Sequence, residues 1–238
     1  VDDLMIVGTY VGKLVSFETE TGLRRWELQV SDDAIIGGVY QPGERLVESL
    51  IASQLGISRA PVREVLAALE KEGLVVNIQR RGSYVSKFSA RDIDEIYSLR
   101  LLLEVGAMRR AIERITTADV DRMQQMVDAL GALAQAQPTS SMIVEQDMQF
   151  HEAICQMAQH HRLYQVWSSM RWQTQLLITL TARTHYKHPE EPKLYHQGIL
   201  EAMATRDGRA AEKLLTDHII DAQRRALQAL SLRNNGQE

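Results

Sequence analysis

PGERLVESLIASQLGISRAPVREVLAALEKEGLVVNIQRRGSYVS, residues 42–86, changes its apolar periodicity twice within one short reach. Leu46, Leu50, Ile51 and Leu55 fall at helical spacing and stop at Gly56, the residue type that most readily closes a helix in the left-handed conformation. Ser58 then offers an N-cap and Pro61 fits a first turn, so a second helix starts there. Its apolar residues Val62, Val65, Leu66 and Leu69 share one face, which leaves Arg59 and Arg63, four apart, on the other. After Gly73 the pattern turns to period two, Leu74 to Ile78 and Ser83 to Ser86, around Arg80, Arg81 and Gly82. Two helices across a tight glycine turn, followed by a basic-tipped hairpin, spell a winged helix-turn-helix.

The residue types suit duplex DNA. Residues at the start of a recognition helix enter the major groove, where arginine can bond guanine O6 and N7 together. Ser58 and the amides of the helix start suit phosphate oxygens. From Ser58 to Lys87 there are six basic residues (Arg59, Arg63, Lys71, Arg80, Arg81, Lys87) against three acidic ones (Glu64, Glu70, Glu72), a balance of +3 in a chain of net charge −4. A helix pair alone could equally be a packing motif with its arginines on a solvated face. The basic wing tips the reading towards DNA.

Outward from this segment the chain is 238 residues long, 45% hydrophobic and 24% charged, enough for two ordinary domains. No window is apolar enough for a transmembrane helix, and VDDLMIVGTY lacks the features of a signal peptide. Cys155 is the only cysteine, which excludes a disulfide framework and a zinc finger and fits a cytoplasmic protein. Residues 1–30 are strand-like, with VG at 11–12 as a turn. The stretch VGTYVGKLVSFETETGLRRWEL resembles one repeat of a quinoprotein-type β-propeller. One repeat cannot bury its own face, so residues 1–30 read as an N-terminal extension without catalytic residues.

From Ser89 onward apolar residues recur at three- and four-residue spacing, interrupted by AQAQPTSS at Pro138 and by YKHPEEPK at Pro189 and Pro192. The expected architecture is mainly α: a winged helix-turn-helix over 31–88, an all-helical bundle of six or seven helices over 89–232, and a disordered tail over 233–238. On the helix from about Ser141 to Arg162, Val144, Asp147, Met148, His151, Cys155 and Ala158 form one inward stripe. His196 shares a stripe with Ile199, Leu200 and Met203, and His218 shares one with Leu214, Leu215 and Ala222. A single inward histidine is usually a satisfied core residue. Three of them with an inward aspartate, on three helices, make a metal site the sharper reading. An N₃O ligand set suits Zn²⁺, Ni²⁺ or Mn²⁺ with positions left open for water or a ligand. His160 and His161 read as a cationic helix end and His185 and His188 as flanks of the Pro-rich loop, all four solvent-facing or capping.

Residues 42–86, with DAIIGGVYQPGERL before them, closely resemble the winged-helix domain of GntR-type bacterial transcription regulators. That resemblance assigns Ser58, Arg59 and Arg63 to the major groove and its flanking phosphates, and Arg81 and Gly82 to the wing contact. Asp147, His151, His196 and His218, within a helical bundle over about 89–230, resemble the metal ligands of the FCD effector domain found in one GntR branch. Arg100, in YSLRLLLEVGA, matches that domain's R-x-x-L-E pattern; an inward arginine there could clamp a carboxylate, or simply pair with Glu104 four residues on. The resemblance implies a regulator that binds a palindromic operator as a homodimer and answers a small carboxylate metabolite held near a divalent metal, with no enzymatic activity. The competing reading is a metal-dependent enzyme acting on a small organic acid with a DNA-binding appendage, because a metal with open positions can activate water.

Overall fold

The computed structural model describes residues 4–8, 14–18, 24–28, 35–36, 39–135, 140–181 and 191–235. The chain divides into two compact units, Val1–Lys87 and Phe88–Glu238. It is mainly α, a winged helix-turn-helix followed by a helical bundle. No helix among the described residues is long and apolar enough to cross a membrane.

In the first unit, β1 (Leu4–Gly8), β2 (Leu14–Glu18) and β3 (Arg24–Leu28) form an antiparallel meander in that order. Leu4 pairs with Glu18 and Leu14 with Leu28, and the register shifts between Ser16 and Phe17. The extension thus holds a third strand beyond a simple hairpin. The expected turn at residues 11–12 lies outside the described residues.

The winged helix follows: β4 (Arg45–Leu46), α1 (Glu48–Leu55), α2 (Arg59–Lys71), β5 (Val75–Ile78) and β6 (Gly82–Val85). Gly56 ends α1 at φ 65°, and its N–H bonds back to the carbonyls of Ala52 and Ser53. A left-handed closing residue of this kind favours glycine, because a side chain there is strained. Of the expected α1 stripe, Leu46 and Ile51 are buried, whereas Leu50 is 56% exposed. α2 buries Val62, Val65, Leu66 and Leu69 along one face, each contributing roughly 1.5–3 kcal/mol by leaving water. Its opposite face is open. The wing is three-stranded, in order β4-β6-β5, because Arg45 and Leu46 pair with Tyr84 and Ser83. At its tip the Arg81 N–H donates to the Ile78 carbonyl at 2.8 Å, and Arg80 (φ 63°) and Gly82 (φ 101°) take left-handed backbone.

The second unit is six described helices: α3 (Ala90–Arg114), α4 (Thr117–Gln135), α5 (Ser140–Met157), α6 (His161–Thr181), α7 (Glu191–Ala204) and α8 (Gly208–Asn235). α8 runs past residue 232 to Asn235. A capping box starts α3: the Asp92 N–H donates to Ser89 Oγ at 3.2 Å, and the Ser89 N–H donates to Asp92 Oδ2 at 2.7 Å. Pro192 lies inside the first turn of α7, where a missing N–H is tolerated, so the helix begins before this proline instead of after it. α3 packs against α5, α6 and α8, and α7 packs against α4 and α8. The shared core includes Met108, Ile154, Trp167, Leu200 and Leu215. α3, α5, α7 and α8 can therefore all send polar groups into one interior.

Candidate functional site

Three helices converge on a polar cluster. Asp147 and His151 project inward from α5, His196 from α7 and His218 from α8, and one ligand atom from each lies within 4.8 Å of the others. All four are buried: His151 and His196 completely, Asp147 to 3% and His218 to 6% exposure. His196 Nε2 lies 3.1 Å from Asp147 Oδ1, and the Nε2 atoms of His151 and His218 face each other at 3.2 Å. His151 Nε2 and His218 Nε2 each sit 3.8 Å from a carboxylate oxygen of Asp147. Leu214, expected on the inward stripe of α8, is instead 38% exposed.

Two of the imidazoles have their tautomer set from behind. His151 Nδ1 lies 2.6 Å from Glu104 Oε2, and His196 Nδ1 lies 2.6 Å from the Pro192 carbonyl oxygen. Both partners can only accept, so each Nδ1 carries a proton, and the neutral form of each ring has its Nε2 lone pair facing the cluster. His196 Nε2 is close to Asp147 without hydrogen-bond alignment and has no hydrogen-bond partner; neither has His218 Nδ1. His151 Nε2 and His218 Nε2 can share one hydrogen bond, but His196 Nε2 and His218 Nδ1 are left over. A buried group of ring nitrogens and a carboxylate with polar atoms unpaired fits a cation in a way that a satisfied hydrogen-bond network does not. The donor set therefore fits a divalent metal. Burial alone would raise the Asp147 carboxyl, but the contact with His196, and His151 and His218 close by, hold it well below the usual carboxylate range. Burial, reinforced by His196 and His151, pushes His218 well below the ordinary imidazole value, towards the neutral form a metal requires.

Beside the cluster lies a second group of buried polar atoms on α3. Arg100 Nε donates to Glu104 Oε1 at 2.8 Å, with the two residues 2% and 0% exposed. This is the i,i+4 pair readable in the sequence, but inside the core, where removing one partner costs far more than the tenths of a kcal/mol of a solvated pair. Burial would raise the Glu104 carboxyl, yet Arg100 and His151 keep it well below its ordinary range. Burial is the largest single influence on Arg100 and works against its charge, but Glu104 together with its other acidic neighbours more than offsets it, so Arg100 stays charged. Arg100 Nη2 and the Tyr97 hydroxyl are buried without hydrogen-bond partners, and the guanidinium carbon sits 5.6 Å from the centre of the Tyr97 ring. Burial pushes the Tyr97 hydroxyl up to about 12, so it remains a donor, and the Asp147 charge reaches both residues.

In the first unit, Ser58, Arg59 and Arg63 are exposed on the open side of α2, and Arg81 with Gly82 forms the wing tip. Ser58 occupies the N-cap position of α2, but its hydroxyl makes no capping bond. Arg59 and Arg63 both reach Glu48 on α1: Arg59 Nη2 at 3.1 Å, and Arg63 through Nε at 3.2 Å and Nη2 at 3.0 Å.

Residues 32–85 match the gntR family of bacterial regulatory proteins, and residues 95–221, more than half of the chain, match the FCD domain. The chain belongs to the GntR family. The Uxu operon transcriptional regulator of Escherichia coli K12 is 31% identical over 216 residues, covering 82% of this chain and 83% of that protein. The gluconate operon transcriptional repressor of Bacillus subtilis is 26% identical over 219 residues, 90% of this chain and 88% of its own. A GntR transcriptional regulator structure from Rhodococcus sp. RHA1 superposes with a TM-score of 0.70 at 28% identity, covering 83% of this chain and 94% of the other. The chain is thus a GntR-family transcription regulator with an FCD domain.

Within this GntR regulator, sequence periodicity alone did not single out Glu104, Trp167 or the Pro192 carbonyl. Glu104 accepts from Arg100, His151 and Trp167 Nε1, the last at 3.0 Å. Its spacing from Arg100 was the one available signal, and it reads as a surface pair. Met157 ends α5 and His161 opens α6, so His160 and His161 do not form the C-terminal cation pair expected of them. His160 Nδ1 instead accepts the Leu163 N–H at 3.3 Å, capping the next helix at its N-terminus. His185 and His188 lie outside the described residues.

Proposed function

We propose that this GntR regulator binds double-stranded operator DNA through its winged helix and holds a divalent metal and a small carboxylate effector in its FCD domain. The observation that carries the effector half is the convergence of the Nε2 lone pairs of His151 and His196 on Asp147 and His218, beside the unpartnered Arg100 Nη2 and Tyr97 hydroxyl. Asp147, His151, His196 and His218 would hold the ion, with Zn²⁺, Ni²⁺ and Mn²⁺ all compatible with an N₃O set. The ion would supply positive charge and open coordination positions to an anionic ligand. Arg100 and Tyr97 would orient the carboxylate by donating to it. Glu104 holds Arg100 and His151 in place and keeps His151 in the tautomer that binds. The relative named for the gluconate operon suggests, by its name, gluconate as the first carboxylate to try.

On the DNA side, Ser58, Arg59 and Arg63 would read the major groove and its phosphates, and Arg81 and Gly82 would contact the duplex from the wing. One short helix offers little contact area, so a homodimer on a palindromic operator is the working form, in the cytoplasm. Effector and DNA then bias one another's binding by the same factor.

The test uses untagged protein. Metal analysis is expected to find a divalent ion, chelation to lower the melting temperature, and Zn²⁺, Ni²⁺ or Mn²⁺ to restore it. His196→Ala is expected to abolish the response to added metal. Identical melting curves for chelated and metal-loaded wild-type protein would sink the metal site.

A further inference from the structure

The DNA-facing arginines are not free in this structure. Arg59 and Arg63 share one carboxylate, Glu48, in the first turn of α1. Arg63 lies side-on, with Nε on Oε1 and Nη2 on Oε2, and Arg59 adds Nη2 to the same Oε2. Arginine carries five N–H donors. The side-on fork uses two of those on Arg63 and leaves its Nη1 and Nη2 end pointing outwards, an edge that can bond guanine O6 and N7 together.

Stability does not account for this arrangement. The arginine side chains are 62% and 65% exposed, and exposed ion pairs contribute little to folding. Nor does simple attraction to DNA, because a carboxylate beside the reading helix repels phosphates. Glu48 is nonetheless ionised: the hydrogen bond from Arg63 is the largest influence on its carboxyl and holds it below its ordinary range. A residue that opposes phosphate binding while fixing two long side chains fits a role in discrimination better than one in affinity.

We propose that Glu48 is a positioning residue for DNA reading: it fixes the guanidinium of Arg63, and secondarily that of Arg59, so that the end-on edge of Arg63 meets a base pair. This rests on the reading of α2 as the recognition helix. Ordering the guanidinium before binding removes part of the side-chain entropy lost on docking. It also denies the arginine the alternative poses that would let it settle on any phosphate.

The experiment uses the full chain and two duplexes at one fixed salt concentration: one selected from a random pool by the wild-type protein, the other a scramble of it. Glu48→Gln is expected to lower the ratio of selected to scrambled affinity by about tenfold, the scale of one bidentate base contact. Affinity for the scrambled duplex is expected to hold or rise, since a negative charge has been removed. Against an Arg63→Ala background, Glu48→Gln is expected to change the ratio no further, because the carboxylate acts through that arginine. Equal change on both duplexes would reduce Glu48 to an electrostatic brake and overturn the proposal. The same tenfold loss in the Arg63→Ala background would overturn it too. If Arg63→Ala itself leaves selected-duplex affinity unchanged, the recognition-helix reading fails, and the positioning role fails with it. A melting curve for Glu48→Gln that matches wild type shows that the change lies in recognition and not in folding.

Discussion

Glu104 Oε2 and His151 Nδ1, 47 positions apart in the chain, meet at 2.6 Å where both residues are fully buried. The contact ties the core ion pair of α3 to the orientation of an imidazole on α5. One carboxylate therefore serves folding and the polar cluster together.

Glu104→Gln keeps the shape and removes the charge that Arg100 needs. Breaking a buried pair from one side costs about 3–5 kcal/mol, so denaturant unfolding should show a large drop in stability. Loss of the partner behind His151, a ligand in the proposed metal site, should also weaken ion affinity by about 10–100-fold, read by chelator competition. Unchanged values for both would refute the linkage.

Trp167 Nε1 donates to Glu104 Oε1 at 3.0 Å from a position 1% exposed. Trp167→Phe retains most of the ring and loses that donor to a charged acceptor, with an expected loss of about 1.5–3 kcal/mol in denaturant unfolding. Arg100 and His151 remain on Glu104, so the variant should stay folded and should still answer added metal.

Arg59→Ala and Arg63→Ala should each lower affinity for a selected operator by about 1–3 kcal/mol at fixed salt and relax preference at the bases they read. Arg81→Ala, at the wing tip, should weaken all duplexes more evenly and flatten the salt dependence by about one unit of slope. Electrophoretic or anisotropy titrations at several salt concentrations separate the two patterns.

Asp92 closes the capping box of α3, and the hydrogen bonds from the Ser89 hydroxyl and N–H hold its carboxyl below the ordinary range. A carboxyl depressed on folding adds stability above its unfolded value and surrenders it as pH falls through the folded one. Asp92→Ala should therefore cost about 1 kcal/mol at neutral pH and progressively less as the medium is acidified. A deficit that stays constant down to strongly acid pH would argue against the cap as its source.

The sequence exposes faces more readily than depths. Val62, Val65, Leu66 and Leu69 on α2, and Val144, Met148 and Cys155 on α5 with Ala158 just past its end, are readable as inward because helical period maps directly onto side. The same logic placed Asp147, His151, His196 and His218 on inward faces, and the fold brings them within 4.8 Å of one another. Period could not say that Arg100 and Glu104 are sealed from water, because a pair four residues apart looks the same on a solvated helix and in a core. It could not show that a backbone carbonyl, Pro192, fixes the ring of His196. It also missed β4, since two residues are too few to set up an alternation and only pairing with β6 makes them a strand.

Tyr97 and Glu104 stand on the same helix with opposite dependencies. The Tyr97 hydroxyl has no hydrogen-bond partner inside the protein, whereas Glu104 accepts from three side chains on three helices. A genetic screen for regulators deaf to their signal should therefore recover Tyr97→Phe as a stable, abundant protein and pass over Glu104, whose loss would read as degradation. If the proposed effector site is right, hearing and surviving are separable at one position and fused at the other.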